Sequence, residues 1–525
     1  MAEVMAEAAV ATEAAAAPAD SRAGSARPSR TAGWPFVFRF RSRLRRLSRR
    51  IERLLFLALL GLLVWMPIPL GSNRSWAWAI CEVWAFCLLS AWLVLWAVGR
   101  PVSRVVVHAW PAFALLAAWL ALQAIHVVPL PAAVVTILSP ESHRMWSLLG
   151  DIGRAPEWMT LSVDPHASTV SLLKSLAYAA IFFLVLALAN RRHRVLRLAR
   201  VLVYAAVVFA TYAVLLHVGS ITQHYLGMEI RHGDSASGTY VNRNHFAGYL
   251  EMTLALGIGL LIAGLSDRHA TSWKQFFAQV IDWILSPKMV LRLALCVLVI
   301  ALTTTHSRMG NSAFFSSLLI AGGIGIALSR HATRNTVILL ASLIAIDLFI
   351  VGSWFGVEKL AKRMQEVSVE EVQGREEPAT YAMGIVKDYP VFGSGPGSFY
   401  TVFPRYRPET VRAYYDYAHN DYVQFAAESG VLGLAILGLL VALSLGAALL
   451  AQWRRRDPLM RGLSFACIMG VTSILIHSWV DFNLQIPANA AYFMVLLALG
   501  WISLYLDRHH PGEPTDVPLL TEPAA

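Results

Sequence analysis

The sequence predicts an all-α integral membrane protein with about twelve transmembrane helices, and three observations predict it. Apolar residues fill 57% of the 525 positions and charged residues only 15%. Long apolar runs recur along the chain, many of them near or above the roughly 18 residues that suggest a spanning helix. The basic residues fall in every second loop instead of evenly, as the positive-inside rule requires of a polytopic membrane protein.

Taken in order, residues 1 to about 33 are rich in Ala, Pro, Ser and Gly without a periodic apolar pattern, which is the composition of a disordered segment. Residues 39–53 then carry eight arginines, with Trp34, Phe36, Phe38 and Phe40 beside or among them, and suit the inner membrane surface. The whole of 1–53 reads as a basic cytoplasmic segment, without the short apolar core and cleavage site of a removable signal. A polytopic membrane domain follows over 54–507. Spans are expected at 54–70, 76–98, 105–127, 168–189, 201–219, 244–264, 289–304, 312–328, 336–354, 431–451, 463–480 and 488–506. The Pro-rich tail 508–525 reads as a second cytoplasmic segment.

The net charge of +11 is a topology signal here and not a nucleic-acid signal. Arg100 and Arg104, Arg191 to Arg200, Arg268 to Lys288, Arg330 and Arg334, and Arg454 to Arg461 occupy alternate loops together with the first basic segment. These segments are expected to be cytoplasmic, with both termini inside. Cys81, Cys87, Cys296 and Cys467 all lie in apolar runs and read as small packing residues. Glu82 and Asp347 are the clear mid-span acids, fewer than a transporter's midplane pathway would call for.

Two of the external segments are long. Segment 128–167 has few paired polar groups and reads as a packed lid or re-entrant piece. Segment 355–420 opens with an acidic helical stretch (Glu366, Glu370, Glu371, Glu376, Glu377), passes through Gly393-Ser394-Gly395-Pro396-Gly397, and ends at His419. A loop of that length inside a compact domain is usually functional.

His419-Asn420, nine residues, then Gly430-Val431-Leu432-Gly433 is the most informative run. Asn420 is a good N-cap, and Tyr422, Phe425 and Ala426 keep helical spacing behind it. The positive pole of that helix disfavours an imidazolium at His419, leaving a group able to accept a proton, although a plain bond to a loop carbonyl is the bland alternative. Arg308, in the polar hinge Thr305 to Asn311, is either a snorkelling side chain or an anion clamp. Arg375 follows Gly374 and has carboxylates beside it, so it reads as a loop salt bridge or a second clamp. Arg405, Arg407 and Arg412 stand among seven aromatic rings, which suits sugar stacking and the headgroup belt equally. Asn242 and Asn244 either cap a helix or bind sugar hydroxyls. Asp481, near His477, orients an imidazole, holds an acceptor or caps. External loops contain no i, i+2 acidic pair, and the chain has no Walker loop, Rossmann glycine fingerprint or His-Glu-x-x-His site. A transfer on the outer face, where ATP is absent, therefore needs a substrate that is already activated, and a lipid diphosphate is the natural one.

These residues resemble the O-antigen ligase family of bacterial membrane glycosyltransferases, which also includes polysaccharide polymerases. His-Asn-x9-Gly-x-x-Gly is matched at His419, Asn420, Gly430 and Gly433, with Leu434 where the family usually shows Thr, Ser, Met or Ile. Ser307-Arg308, Gly374-Arg375, Gly393-Ser394-Gly395 with Phe399, and Asn242 with Asn244 extend the resemblance over about 200–500. The resemblance implies an all-helical, GT-C-like membrane glycosyltransferase, metal-independent and inverting, with no cofactor. It implies an undecaprenyl-diphosphate-linked glycan donor and a glycan or lipid A-core acceptor. Arg308 and Arg375 would hold the diphosphate and His419 would deprotonate the acceptor hydroxyl, with the remaining named polar residues around the substrate. A repeat-unit polymerase of the same family and a polytopic transporter are the alternative readings.

Overall fold

Prolines mark where several helices of this protein begin. Pro111, Pro165, Pro458 and Pro487 each stand in the first turn of a helix. There the missing N–H costs nothing and the fixed φ suits the helix. A computed structural model describes residues 35–154, 156–221, 223–225, 228–230, 235–264, 287–328, 341–342, 345, 369–409, 411 and 414–507, with the side chains of 35–46, 152, 223–225, 228–230, 287–288 and 369–377 outside the description. The chain divides into residues 1–50 and 51–525; of the first unit only the helical stretch 35–50 is described.

The principal helices are α1 (Pro35–Trp65), α2 (Ser75–Ala97), α3 (Trp110–Val127), α4 (Pro165–Leu188), α5 (Arg192–Val218), α6 (Arg243–Ala263), α7 (Pro287–Thr304), α8 (Arg308–Leu328), α9 (Val369–Asp388), α10 (Asp421–Arg454), α11 (Pro458–His477) and α12 (Pro487–Tyr505). The described strands are two antiparallel pairs of two or three residues, 130–131 with 158–159 and 223–225 with 228–230. Among the described residues, nine helices are long and apolar enough to cross a membrane: α2 to α6, α8 and α10 to α12. The three other expected spans differ for separate reasons. The run 54–70 leaves its helix at Trp65, where Pro67 and Pro69 follow. Residues Met289–Thr304 form a shorter apolar helix. The run 336–354 lies almost wholly outside the described residues, as do Arg268, Lys274, Arg330, Arg334 and Asp347. The expected span 105–127 is also interrupted, because a short helix Arg104–His108 stops at Ala109 before Pro111 restarts the chain as α3.

Helices α6, α11 and α12 form the buried centre. Two glycines let α6 and α11 meet backbone to backbone. A Cβ at Gly259 would stand 2.3 Å from the Gly462 carbonyl oxygen, and one at Gly462 would stand 2.2 Å from that of Gly259. Trp501 Nε1 donates to Ser444 Oγ at 3.1 Å and fixes α12 to α10.

Polar contacts sort the helix ends into two groups. At one end Glu52 pairs with both Arg100 and Arg194, Arg192 with Asp457, and Arg104 with Asp507. This arginine end gathers three of the basic loops that the sequence groups together. The opposite, histidine end collects the end of α3 at His126, the end of α5 at His217, the starts of α4, α6, α8, α10 and α12, and the end of α11 at His477. Segment 128–167 and the described part of 355–420, the two long segments named as external loops, pack there. Segment 128–167 is a folded piece with a small core of Val135, Met159 and Leu161. Contrary to the expectation of few paired polar groups, its Glu141 holds Arg144 at 2.8 Å and Arg405 at 2.5 Å.

Candidate active site

The helix that follows His419, α10, is broken nine residues after Asp421. Gly430 adopts φ 64° and ψ −175°, so α10 consists of two helical pieces. A Cβ there would lie 2.1 Å from the Val391 carbonyl oxygen. The glycine-rich turn fills the break. Val431 N–H donates to Pro390 O at 2.9 Å and Leu432 N–H to Val391 O at 3.3 Å; from the other side Ser394 N–H donates to Ala427 O and Gly395 N–H to Glu428 O, both at 2.9 Å. The same turn is tied to α3 by His126 Nε2 beside Phe392 O at 2.9 Å, and to α4 by Ser168 Oγ donating to Pro396 O at 2.8 Å. The first glycine of the His-Asn signature thus serves a left-handed backbone position and a docking loop. Gly433 does serve close packing, against Ser429 and Trp119.

His419 sits directly before this element with φ 53°, a conformation few non-glycine residues adopt. Asn420 caps α10, its Oδ1 accepting from Tyr422 N–H at 3.0 Å and Val423 N–H at 3.1 Å while its Nδ2 donates to Trp479 O at 2.8 Å. The imidazole is half-buried, edge-on to Phe482 at 4.8 Å and to Tyr415 at 6.1 Å between ring centres. His306 repeats the arrangement. It has φ 53° and precedes Ser307, whose Oγ accepts from Gly310 N–H at 3.2 Å at the start of α8. Arg308 is the first residue of that helix and is exposed.

A buried polar chain links these two helix starts. Gly310 lies against Glu251, whose Oε1 would be 3.1 Å from a Cβ at that glycine. Glu251 accepts from Ser473 Oγ at 2.6 Å and meets His477 Nδ1 at 2.7 Å. Next along the chain, Ser478 O accepts from Asp421 N–H, and Asp421 Oδ2 in turn accepts from Ser478 Oγ at 2.7 Å and Leu484 N–H at 3.1 Å. Arg308 and His419 therefore start helices at the same end of the bundle, around the turn 478–489.

The other named residues take varied places. Asn242 caps α6, accepting from Asn244 N–H at 2.8 Å, and Asn244 is buried. Asp481 accepts from Phe482 N–H at 2.8 Å and lies 3.4 Å from His245 Nε2. Burial pushes its carboxyl up, but His245, the charge of His477 and that N–H outweigh it and hold the group well below the usual carboxylate range. Arg405 is engaged by Glu141, and Arg407 lies over the Tyr414 ring at 5.3 Å. Arg375 lies in α9, its side chain outside the description, and Arg412 lies outside the described residues altogether. Among the described residues no group of three His, Cys, Asp or Glu is placed to hold a metal ion.

A cavity of about 700 Å³ opens beside Asp421, between α2, α4, α10 and α12. Its walls are mainly apolar, including Leu434 to Leu445 along α10, and its polar lining includes Tyr417, Asp421 and Lys174. Burial, then the charges of Glu428, Asp416 and Asp421, keep the Tyr417 phenol neutral well above its ordinary range. Lys174 Nζ stands 3.8 Å over the Trp78 ring. Neither Lys174 nor Glu251 belongs to a sequence motif. The signal for both is an ionisable residue inside an apolar run, and Glu251 adds a third acid to Glu82 and Asp347.

With this geometry in place, comparison with known families is informative: the O-antigen ligase family model matches residues 293–438. The match supports assigning the chain to the O-antigen ligase family. The matched stretch runs from α7 into α10 and contains Arg308, Arg375, the glycine-rich turn, His419, Gly430 and Gly433. It is shorter than the expected 200–500, and Asn242, Asn244, His477 and Asp481 lie outside it. No curated protein matches the chain. The family and the nine apolar helices together support a multi-pass membrane enzyme of the ligase or polymerase type in polysaccharide biosynthesis.

Proposed function

We propose that the protein transfers a glycan from undecaprenyl diphosphate to an acceptor hydroxyl, in the manner of an O-antigen ligase, on the periplasmic face of the inner membrane. The observation that carries this reading is the gathering of three helix starts at one end: α6 with Asn242 and Asn244, α8 with Arg308, and α10 with His419 and Asn420. Each helix N-terminus carries a positive pole, so their convergence with Arg308 suits a diphosphate. The apolar cavity next to Asp421 suits a lipid chain entering from the bilayer.

In this reading neutral His419 takes the proton of the acceptor hydroxyl as its oxygen attacks the anomeric carbon from the face opposite the leaving group. The carbon–oxygen bond to the diphosphate breaks, and undecaprenyl diphosphate leaves with the bonding electrons. Arg308 and Arg375 stabilise the growing negative charge, a task for which a guanidinium fork is better shaped than an ammonium. No metal or cofactor takes part in this scheme. Asn420 holds His419 through the cap, and Arg407, which lies over the Tyr414 ring, is the described arginine offered to a sugar.

The test is purified protein with a lipid-diphosphate glycan and candidate acceptors, without added metal, comparing wild type with His419→Ala. Loss of transfer in a folded variant supports the reading, and retained transfer removes it. The polymerase alternative is separated in a deletion strain. Loss of long chains identifies a polymerase, whereas long chains stranded on carrier lipid identify a ligase.

A further inference from the structure

The arginine end of the bundle carries a second cavity, and its chemistry differs from that of the ion pairs around it. Arg192 and Arg194 of α5 each face a carboxylate, Asp457 and Glu52 respectively. Arg197 and Arg200 of the same helix do not. Among the described residues no carboxylate pairs with either, and Arg200 Nη2 is buried without a hydrogen-bond partner. Both arginines line a groove of about 630 Å³ together with His193, Tyr204, Val208 and Val64.

The spacing is a single stripe. Positions 193, 197, 200, 204 and 208 recur every three or four residues and so share one face of α5. From His193 to Val208 the groove runs roughly 22 Å at 1.5 Å per residue. It starts with cations at the arginine end and becomes apolar toward the middle of the bundle. A buried guanidinium nitrogen without a partner is costly unless an anion reaches it. A groove that is cationic at one end and apolar along its length matches one kind of molecule, a lipid with an anionic head.

We propose that this groove is a binding site for an anionic phospholipid of the membrane itself. Arg197 and Arg200 hold its phosphate through paired N–H groups, and one acyl chain lies along α5 toward Val208 and Val64. The site is separate from the glycan-transfer reading, because α5 runs from this groove to His217 at the opposite end of the bundle.

The experiment uses the full chain, purified and placed in nanodiscs of phosphatidylglycerol or of phosphatidylcholine, with retained lipid counted by native mass spectrometry after transfer to detergent. Wild type is expected to retain phosphatidylglycerol in preference to phosphatidylcholine, by about tenfold. The double substitution Arg197→Gln/Arg200→Gln is expected to abolish that preference, and Arg454→Gln/Arg456→Gln at the same end is expected to keep it. Equal retention of the two lipids by wild type overturns the proposal, without any variant needing to fold. So does undiminished preference in the Arg197/Arg200 variant, equal loss in the Arg454/Arg456 variant, or displacement of the lipid by inorganic phosphate alone.

Discussion

Replacing Gly430 by alanine tests whether the break in α10 is a built feature of the site. The residue sits at φ 64°, ψ −175°, a region open essentially to glycine alone, and holding alanine there costs about 1–3 kcal/mol. The added methyl would also stand 2.1 Å from the Val391 carbonyl oxygen, so the glycine-rich turn must withdraw. Losing only the two nearest hydrogen bonds, from Val431 N–H and Leu432 N–H, adds about 0.5–1.5 kcal/mol each. The expected destabilisation is therefore about 2–6 kcal/mol. Gly438 is the control, since a Cβ there meets nothing within 4 Å and alanine is the better helix former. Thermal melting in detergent and the rate of proteolysis in 389–398 read the two effects. Gly430→Ala should melt well below Gly438→Ala and be cut faster in the turn. Equal melting of the two variants would refute the account of the break.

Three other predictions follow from the same end of the bundle. Arg308→Lys should lower transfer about 10–100-fold, because a point charge replaces a bidentate fork; full turnover with lysine in a steady-state assay would remove the clamp assignment. Asn420→Ala should cost about 1 kcal/mol of stability through the lost cap, read as a lower melting temperature, while Asn420→Asp, which keeps the accepting oxygen, should recover most of it. Asp481 has its folded pKa depressed, so its contribution is present above its ordinary value of 3.8 and is lost as the pH falls below that. Melting measured from pH 6 downward should show an acid-side loss of stability that is smaller in Asp481→Asn, and identical acid limbs would contradict the placement.

Much of this architecture is written in the sequence, and the parts that are not have physical reasons. Spans such as α4, α6 and α12 are legible because a helix in lipid must be apolar along its whole length. The break after Trp65 was also open to reading, since Pro67 and Pro69 forbid a continuous helix through 70. The cap at Asn420 and the helix behind it follow from local spacing. Gly430 did not declare its role, because a glycine looks the same whether it serves helix packing or a positive φ; only the turn 390–395 docking on it decides. Likewise Glu251, Ser473 and His477 lie far apart in sequence, and their joining across α6 and α11 is a tertiary fact. The paired roles of Arg405 and Glu141 were hidden for the same reason.

The most direct test of the central claim is single-turnover transfer by the purified protein, wild type against His419→Ala, with an undecaprenyl-diphosphate-linked glycan as donor. A positioned general base is worth about 10²–10⁴-fold, so the variant should lose that much rate at an unchanged melting temperature. Transfer at the wild-type rate by the folded variant would contradict the assignment of His419 as the base.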